Sequence, residues 1–165
     1  MPKVLVSPIA FNEKGKLQNV IERFLKSPGY GRYDYLVMDD GSTDGTTEMI
    51  QSYAGRGVRT IKHARRSGVG AAIRTAIRYA RQEGYDVLVI MAGNDKDNPD
   101  EIPGLLEPIM TGGYDFVQGS RYKGKVGTGG DMPLYRKFAT RLHPLLMSLF
   151  TGAKVTDSTN GFRAL

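Results

Sequence analysis

Residues 36–47 read Leu-Val-Met-Asp-Asp-Gly-Ser-Thr-Asp-Gly-Thr-Thr, and the build of this stretch decides the fold. An apolar run stops at two adjacent acids, Asp39 and Asp40. A turn-forming Gly41-Ser42 follows, then Thr43 and Asp44 ahead of a helical pattern. A buried parallel strand delivers side chains to the carboxyl edge of its sheet in this way, and that edge is where open α/β folds bind ligands. Two neighbouring acids are costly to bury without partners. From these residues alone, they either cap an ordinary strand-to-helix turn or bind something.

Working outward, strand-like and helix-like segments alternate. Apolar runs predict strands over 4–9, 33–38, 58–62, 86–91 and 115–119. Helical spacing predicts helices over 16–25 (Leu17, Val20, Ile21, Phe24), 43–53 and 69–81 (Ala72, Ile73, Ala76, Ala80). A fourth starts in the bracket Pro99/Pro103 and runs to about 110. Repeated β-α units of this length imply right-handed crossovers, hence a mostly parallel sheet with helices on both faces. After Arg121 the pattern changes. Residues 124–130 hold four glycines in seven and read as a mobile loop. Leu134, Phe138, Leu142, Leu145 and Leu149 then recur at three- and four-residue steps among Arg136, Lys137, Arg141 and His143. This is a basic amphipathic helix, bent near Pro144, which either covers the sheet or lies in the headgroup region of a membrane. No internal repeat is visible, and residues 1–165 read as one domain.

A chain of 165 residues is long enough to bury a real core. It has no cysteine, which excludes disulfides, thiolate metal sites and a thiol nucleophile. The longest apolar runs, such as 87–92, fall short of the ~18 residues a membrane span needs, and no signal-peptide pattern opens the chain. Charge is unevenly placed. Residues 1–120 hold 15 Lys/Arg against 15 Asp/Glu, whereas residues 121–165 hold 8 against Asp131 and Asp157, which is the whole net charge of +6. A basic final third attracts phosphates or an anionic membrane surface, or simply aids solubility. It has few aromatics for base stacking, which argues against nucleic acid.

In a parallel sheet three strand ends share one edge: Ala10-Phe11-Asn12-Glu13, Asp39-Asp40, and Ala92-Gly93-Asn94-Asp95-Lys96-Asp97. Such a cleft offers a ring to pack on, acceptors for base and ribose, and oxygens for a divalent ion. It suits a nucleotide, and the oxygen ligands favour Mg²⁺ or Mn²⁺ over zinc. His63 and His143 lie far apart with no cysteine beside them, so a histidine metal site is not expected. Gly68-Val69-Gly70 has Ile73 where a dinucleotide fingerprint needs a small residue, and reads as a tight helix start. No Gly-x-Ser-x-Gly or P-loop motif is present.

Six pieces in order carry a resemblance: Ala10-Phe11-Asn12-Glu13, residues 39–46, Gly68-Val69-Gly70-Ala71-Ala72, the 91–103 loop, Gly119-Ser120-Arg121-Tyr122, and Asn160-Gly161-Phe162-Arg163-Ala164. Together they resemble family 2 glycosyltransferases of the GT-A fold, within them the dolichol-phosphate-mannose-synthase-like (polyprenyl-phosphate) group. The resemblance implies a Rossmann-like α/β domain with a nucleotide-sugar part over 1–120 and a basic acceptor or membrane-proximal part over 121–165. It implies a glycosyltransferase, peripheral at the cytoplasmic membrane face, using a nucleotide-diphosphate sugar and Mg²⁺ or Mn²⁺. Donor contacts would come from Ala10, Phe11, Glu13, Asp39, Asp40, Ser42, Ala92, Gly93 and Asn94. Arg121, Arg136 and Thr140 would grip the phosphate of a polyprenyl acceptor, and Asn94, Asp95 and Arg121 would be the catalytic set. The pattern departs in two places. The family's Asp-x-Asp falls on Ala92-Gly93-Asn94, which shifts the expected metal ligands to Asn94, Asp95 and Asp97. The chain also stops soon after its Gly-Phe-Arg, which reads as a truncation. A non-catalytic nucleotide-sugar or lipid-binding relative is the alternative. A lipid phosphate needs no general base; a sugar hydroxyl acceptor would need one, with Asp95 or Asp97 nearest.

Overall fold

The computed structural model describes residues 2–120, 134–152, 155–157 and 160–165, with backbone only for 134–141 and 151. The elements are β1 (Val4–Ala10), α1 (Lys14–Lys26), β2 (Asp34–Asp39), α2 (Thr46–Gln51), β3 (Val58–Lys62), α3 (Val69–Gln82), β4 (Val87–Ala92), α4 (Ile102–Gly112), β5 (Val117–Gln118), α5 (Leu134–Thr151) and β6 (Arg163–Ala164). The sheet order is β3-β2-β1-β4-β6-β5. β1 pairs in parallel with β2 and β4, and β2 with β3; β6 runs antiparallel to β4. The mostly parallel α/β sheet expected from the alternating pattern is therefore the one found.

Alternation along the strands sorts the core into two layers. Val4, Val6, Tyr35, Val37, Val87, Val89 and Met91 pack with α1 (Leu17, Val20, Ile21, Phe24), α2 (Met49, Ile50) and α4 (Ile102, Leu105, Leu106). Leu5, Leu36, Met38, Leu88 and Ile90 pack with α3 through Ala72, Ala76 and Ala80, whose small side chains bring that helix close. Each fully buried Leu, Ile or Phe contributes about 1.5–3 kcal/mol. The reversal of direction between β2→β3 and β3→β4 places α3 on the opposite face, as right-handed crossovers require.

The chain forms two compact units, one of Met1–Val117 with Phe162–Leu165, the other of Gln118–Gly161. The division falls near the change of pattern after Arg121, but the last four residues belong to the first unit because β6 joins β4. In the second unit, the Ser148 hydroxyl donates to Pro144 O at 2.8 Å and accepts from Val155 N–H at 2.9 Å. Asn160 Nδ2 donates to Gly119 O at 2.9 Å. Leu142, Leu145, Leu146, Leu149 and Phe150 of α5 are exposed. Among the described residues no helix is long and apolar enough to cross a membrane. The loop expected over 124–130 lies outside the described residues.

Differences from the sequence reading are local. α2 is shorter than the expected 43–53, because Asp44 Oδ1 takes the Thr46 N–H at 3.0 Å and Gly45 turns left-handed (φ 84°) ahead of the helix. Past Gln51 the chain continues as a single 3₁₀ turn, Ala54–Arg56. Asp86 stays outside β4, its Oδ2 accepting Lys3 N–H at 2.7 Å. β5 keeps two of the five expected residues.

Candidate functional site

The register brings three strand ends flush. Ala10 stands opposite Asp39, and Ile9 opposite both Met38 and Ala92. Six expected donor residues, Ala10, Asp39, Asp40, Ser42, Ala92 and Gly93, therefore follow one another along one rim, at the point where strand order reverses. Phe11, Glu13 and Asn94 come one to three residues beyond these strand ends.

The two acids of the opening motif part company. Asp39 is fully buried; Oδ1 accepts Ser42 N–H at 2.8 Å and Oδ2 accepts the Thr47 hydroxyl of α2. Asp40, 3% exposed, faces the other layer. Its Oδ1 pairs with His63 Nδ1 at 2.8 Å and accepts Ser67 N–H at 2.9 Å, while Oδ2 accepts Gly68 N–H at 2.7 Å. Burial alone would raise the Asp40 pKa, but the bonds from His63, Ser67 and Gly68 outweigh it and hold the carboxyl below its ordinary value. A carboxylate has about four acceptor sites, so three donors leave Asp40 roughly one. Gly41 permits this turn: it has φ 82°, and a Cβ there would come within 2.6 Å of the Arg65 carbonyl carbon.

Hydrogen bonds stitch the neighbouring loops together. Asp40 N–H donates to Ala10 O at 2.9 Å, Asn12 N–H to Ser42 Oγ at 3.0 Å, and Thr43 N–H to Asn12 Oδ1 at 2.8 Å. Asn12 itself is left-handed (φ 52°). Glu13 pairs with Lys16 at 2.8 Å, and the Arg66 guanidinium lies 4.5 Å from the centre of the Phe11 ring.

After β4, Gly93 N–H donates to Ile9 O at 2.9 Å, and a Cβ on Gly93 would meet Ala10 Cβ at 2.9 Å. Asp97 Oδ2 takes the Ala92 N–H at 2.7 Å. Asp95, left-handed at φ 65°, accepts Arg23 Nη2 of α1 at Oδ1 and Asn19 Nδ2 at Oδ2, the latter at 3.3 Å. The same Arg23 Nη2 donates to Asp97 O at 3.0 Å. Asn94 Oδ1 is buried with no hydrogen-bond partner.

This geometry bears on a divalent cation. Of Asn94, Asp95 and Asp97, the set expected from the sequence, Asp95 is engaged at both oxygens and Asp97 Oδ2 by the backbone. Among the described residues no three or more His, Cys, Asp or Glu gather into a ligand set. Within that set, Asn94 Oδ1, a hard oxygen, is the atom buried without a hydrogen-bond partner among the described residues. The residues thus fit a cation held chiefly by a ligand's phosphates, with one ligand from the chain.

The side chains of Arg121, Arg136 and Thr140 lie outside the described residues. No local sequence pattern marks Arg23, Asn19, His63, Arg66 or Thr75 as site residues. Their signal is tertiary: Arg23 meets Asp95 across 72 residues, and His63 meets Asp40 across 23.

Residues 8–165 match the family model described as glycosyl transferase family 2. The chain is 35% identical over 136 residues to the undecaprenyl-phosphate mannosyltransferase of Micrococcus luteus, covering 79% of this chain and 54% of that protein. It is 30% identical over 166 residues to the dolichol-phosphate mannosyltransferase of Pyrococcus furiosus, covering 99% of this chain and 46% of that one. The chain thus spans about half the length of these two relatives. A solved structure, glucosyl-3-phosphoglycerate synthase from Mycobacterium tuberculosis with Mn²⁺, uridine diphosphate and glucosyl-3-phosphoglycerate, superposes with a TM-score of 0.71 at 24% identity. It covers 99% of this chain and 56% of that one, and shows a shared fold.

Proposed function

The chain belongs to glycosyl transferase family 2, and from that premise we propose that it carries the donor site and acceptor-phosphate contacts of a glycosyltransferase. The reaction moves a sugar from a nucleoside diphosphate to a polyprenyl phosphate at a membrane surface. The observation that carries this reading is the flush rim of β1, β2 and β4, where an ionised Asp40 with one acceptor site left stands in line with the loop bearing Asn94 Oδ1.

Asp40 is suited to accept one N–H of the base, and the Phe11 ring to pack against it. An acceptor phosphate oxygen, already anionic, attacks the sugar's anomeric carbon; the bond to the diphosphate breaks and the nucleoside diphosphate leaves. No proton has to be removed, so the chain's work is orientation. A divalent cation, when bound with the donor, supplies charge to the diphosphate; Asn94 would be its ligand from this chain. Arg121, Arg136 and Thr140 are proposed for the acceptor phosphate on the resemblance and their basic setting. The exposed apolar residues of α5 support contact with a lipid surface.

The test is transfer of labelled sugar from GDP-mannose, UDP-glucose or UDP-N-acetylglucosamine to polyprenyl phosphate in liposomes, with Mn²⁺ or Mg²⁺, using the full natural chain. Label in the lipid phase is expected; hydrolysis or no turnover with every donor refutes the reading. The absence of a carboxylate at 92 and 94, with Asp95 held by Arg23, favours a second reading, a binding relative without turnover. Nucleotide binding with no transfer would support it.

A further inference from the structure

We infer that His63 and Thr75 are positioning residues for Asp40, fixing which of its oxygens is left to read the nucleotide base. The inference rests on the donor-pocket reading above. His63 links the end of β3 to α3: Nδ1 lies 2.8 Å from Asp40 Oδ1 and Nε2 lies 3.0 Å from Thr75 Oγ1. Its backbone N–H also donates to Asp39 O at 2.8 Å, so the ring's base is fixed to β2. The His63 side chain is 16% exposed and that of Asp40 4%.

Proton bookkeeping sets the roles. Asp40 Oδ1 is a carboxylate oxygen, so His63 Nδ1 carries the hydrogen. Nε2 then accepts from the Thr75 hydroxyl when the ring is neutral. When the ring is charged, Nε2 donates to Thr75 Oγ1, and the Thr75 hydrogen turns to Ala71 O, 3.1 Å away. A hydroxyl can serve either state by rotation, so Nδ1 presents a hydrogen to Asp40 in both. With His63 and Ser67 N–H on Oδ1 and Gly68 N–H on Oδ2, the acceptor site left over is on Oδ2. Removing the imidazole opens a second site, on Oδ1, and leaves the carboxylate without one of its three restraints.

The experiment is calorimetric binding of GDP, UDP and ADP with Mn²⁺ to wild type, H63A, H63N, H63Q and T75V, each checked for folding by circular dichroism. Asparagine places an amide nitrogen near Nδ1, glutamine near Nε2. H63A and H63Q should bind the preferred nucleotide about tenfold more weakly and discriminate less among the three, with H63N restoring most of the loss. A packing role would instead make H63N no better than H63Q. T75V should keep the fold and shift the ¹⁵N resonances of His63, which in wild type should report an Nδ1-protonated ring, with H143Q used for assignment. Binding by H63A equal to wild type, or an unprotonated Nδ1, overturns the inference and leaves the donor-pocket reading intact. A wild type that binds none of the three overturns that reading, and the inference with it.

Discussion

Replacing Arg23 by alanine separates the stability of the fold from the order of the loop after β4. Arg23 lies on α1, yet one guanidinium nitrogen bonds both the Asp95 carboxylate and the Asp97 carbonyl. The side chains of the pair are 44% and 30% exposed, so solvent screens the charge and the ion pair contributes about 0–1 kcal/mol. The carbonyl bond adds roughly 1 kcal/mol. In a chain of this size each kcal/mol is worth about 2–4 °C, so a loss of about 1–2 kcal/mol in R23A should lower the thermal midpoint by only about 2–8 °C. The local effect is larger in proportion. Loop 93–98 contains a left-handed Asp95, and removing about 1–2 kcal/mol raises its opening constant roughly 5–30-fold. Hydrogen exchange should therefore speed up by that factor at Ala92 N–H, which bonds Asp97, and nucleotide affinity should fall with it. R23K, which keeps the charge on a shorter side chain, should lie between. Unchanged exchange over 92–98, or a midpoint drop above about 10 °C, would refute the reasoning, since either would make Arg23 a fold residue and not a strut for this loop.

Three further outcomes are expected. G41A combines a left-handed φ with a Cβ 2.6 Å from backbone, so it should destabilise by more than about 2 kcal/mol and either lower the midpoint by at least ~5 °C or fail to fold, as circular dichroism would show. Because Asp40 titrates below its ordinary value when folded, its stabilisation is complete above about pH 4 and is lost as pH falls through the lower folded value; denaturant titrations from pH 6 to 2 should show a steeper acid loss in wild type than in D40N. N94D places a charge where Asn94 Oδ1 is buried without a partner, so it should destabilise the protein by about 1–3 kcal/mol without metal, and Mn²⁺ with nucleotide should reverse the loss in a thermal-shift assay.

Much of this was legible in the sequence, and the reason differs by element. β1 to β4, α1 and α3 carry strong periodicity, so their limits could be read to within one or two residues. β6 is two residues long and has no period to detect; its place beside β4 follows from pairing of Arg163 and Ala164 with Ile90 and Val89. The shared rim followed from parallel topology alone. The fate of the carboxylates did not, because it depends on partners that local pattern cannot supply. Asp95 looks available in sequence and is engaged by a helix 72 residues earlier. His63 looks isolated when histidines are sought in pairs, and its partners are an acid and a threonine.

The Asp39-Asp40 doublet shows how local pattern and tertiary partners meet. Neighbours at a strand end point to opposite faces, so the two acids serve different layers. Asp39 fixes Ser42 and α2, and Ser42 Oγ in turn holds Asn12 and the loop after β1. Asp40 fixes the loop from β3 into α3, whose amino end also favours a negative charge. Gly93, bonded to Ile9, joins the loop after β4 to the same frame. One dipeptide and one glycine therefore link all four loops of the rim by short bonds within the chain. In the proposed function, a nucleotide entering this rim would meet acceptors and a ring already ordered, and its binding free energy would not be consumed in ordering them. That is also why the two acids are not interchangeable: loss of Asp39 loosens the rim from the α2 side, whereas loss of Asp40 removes both the α3 tie and the acceptor proposed to read the base.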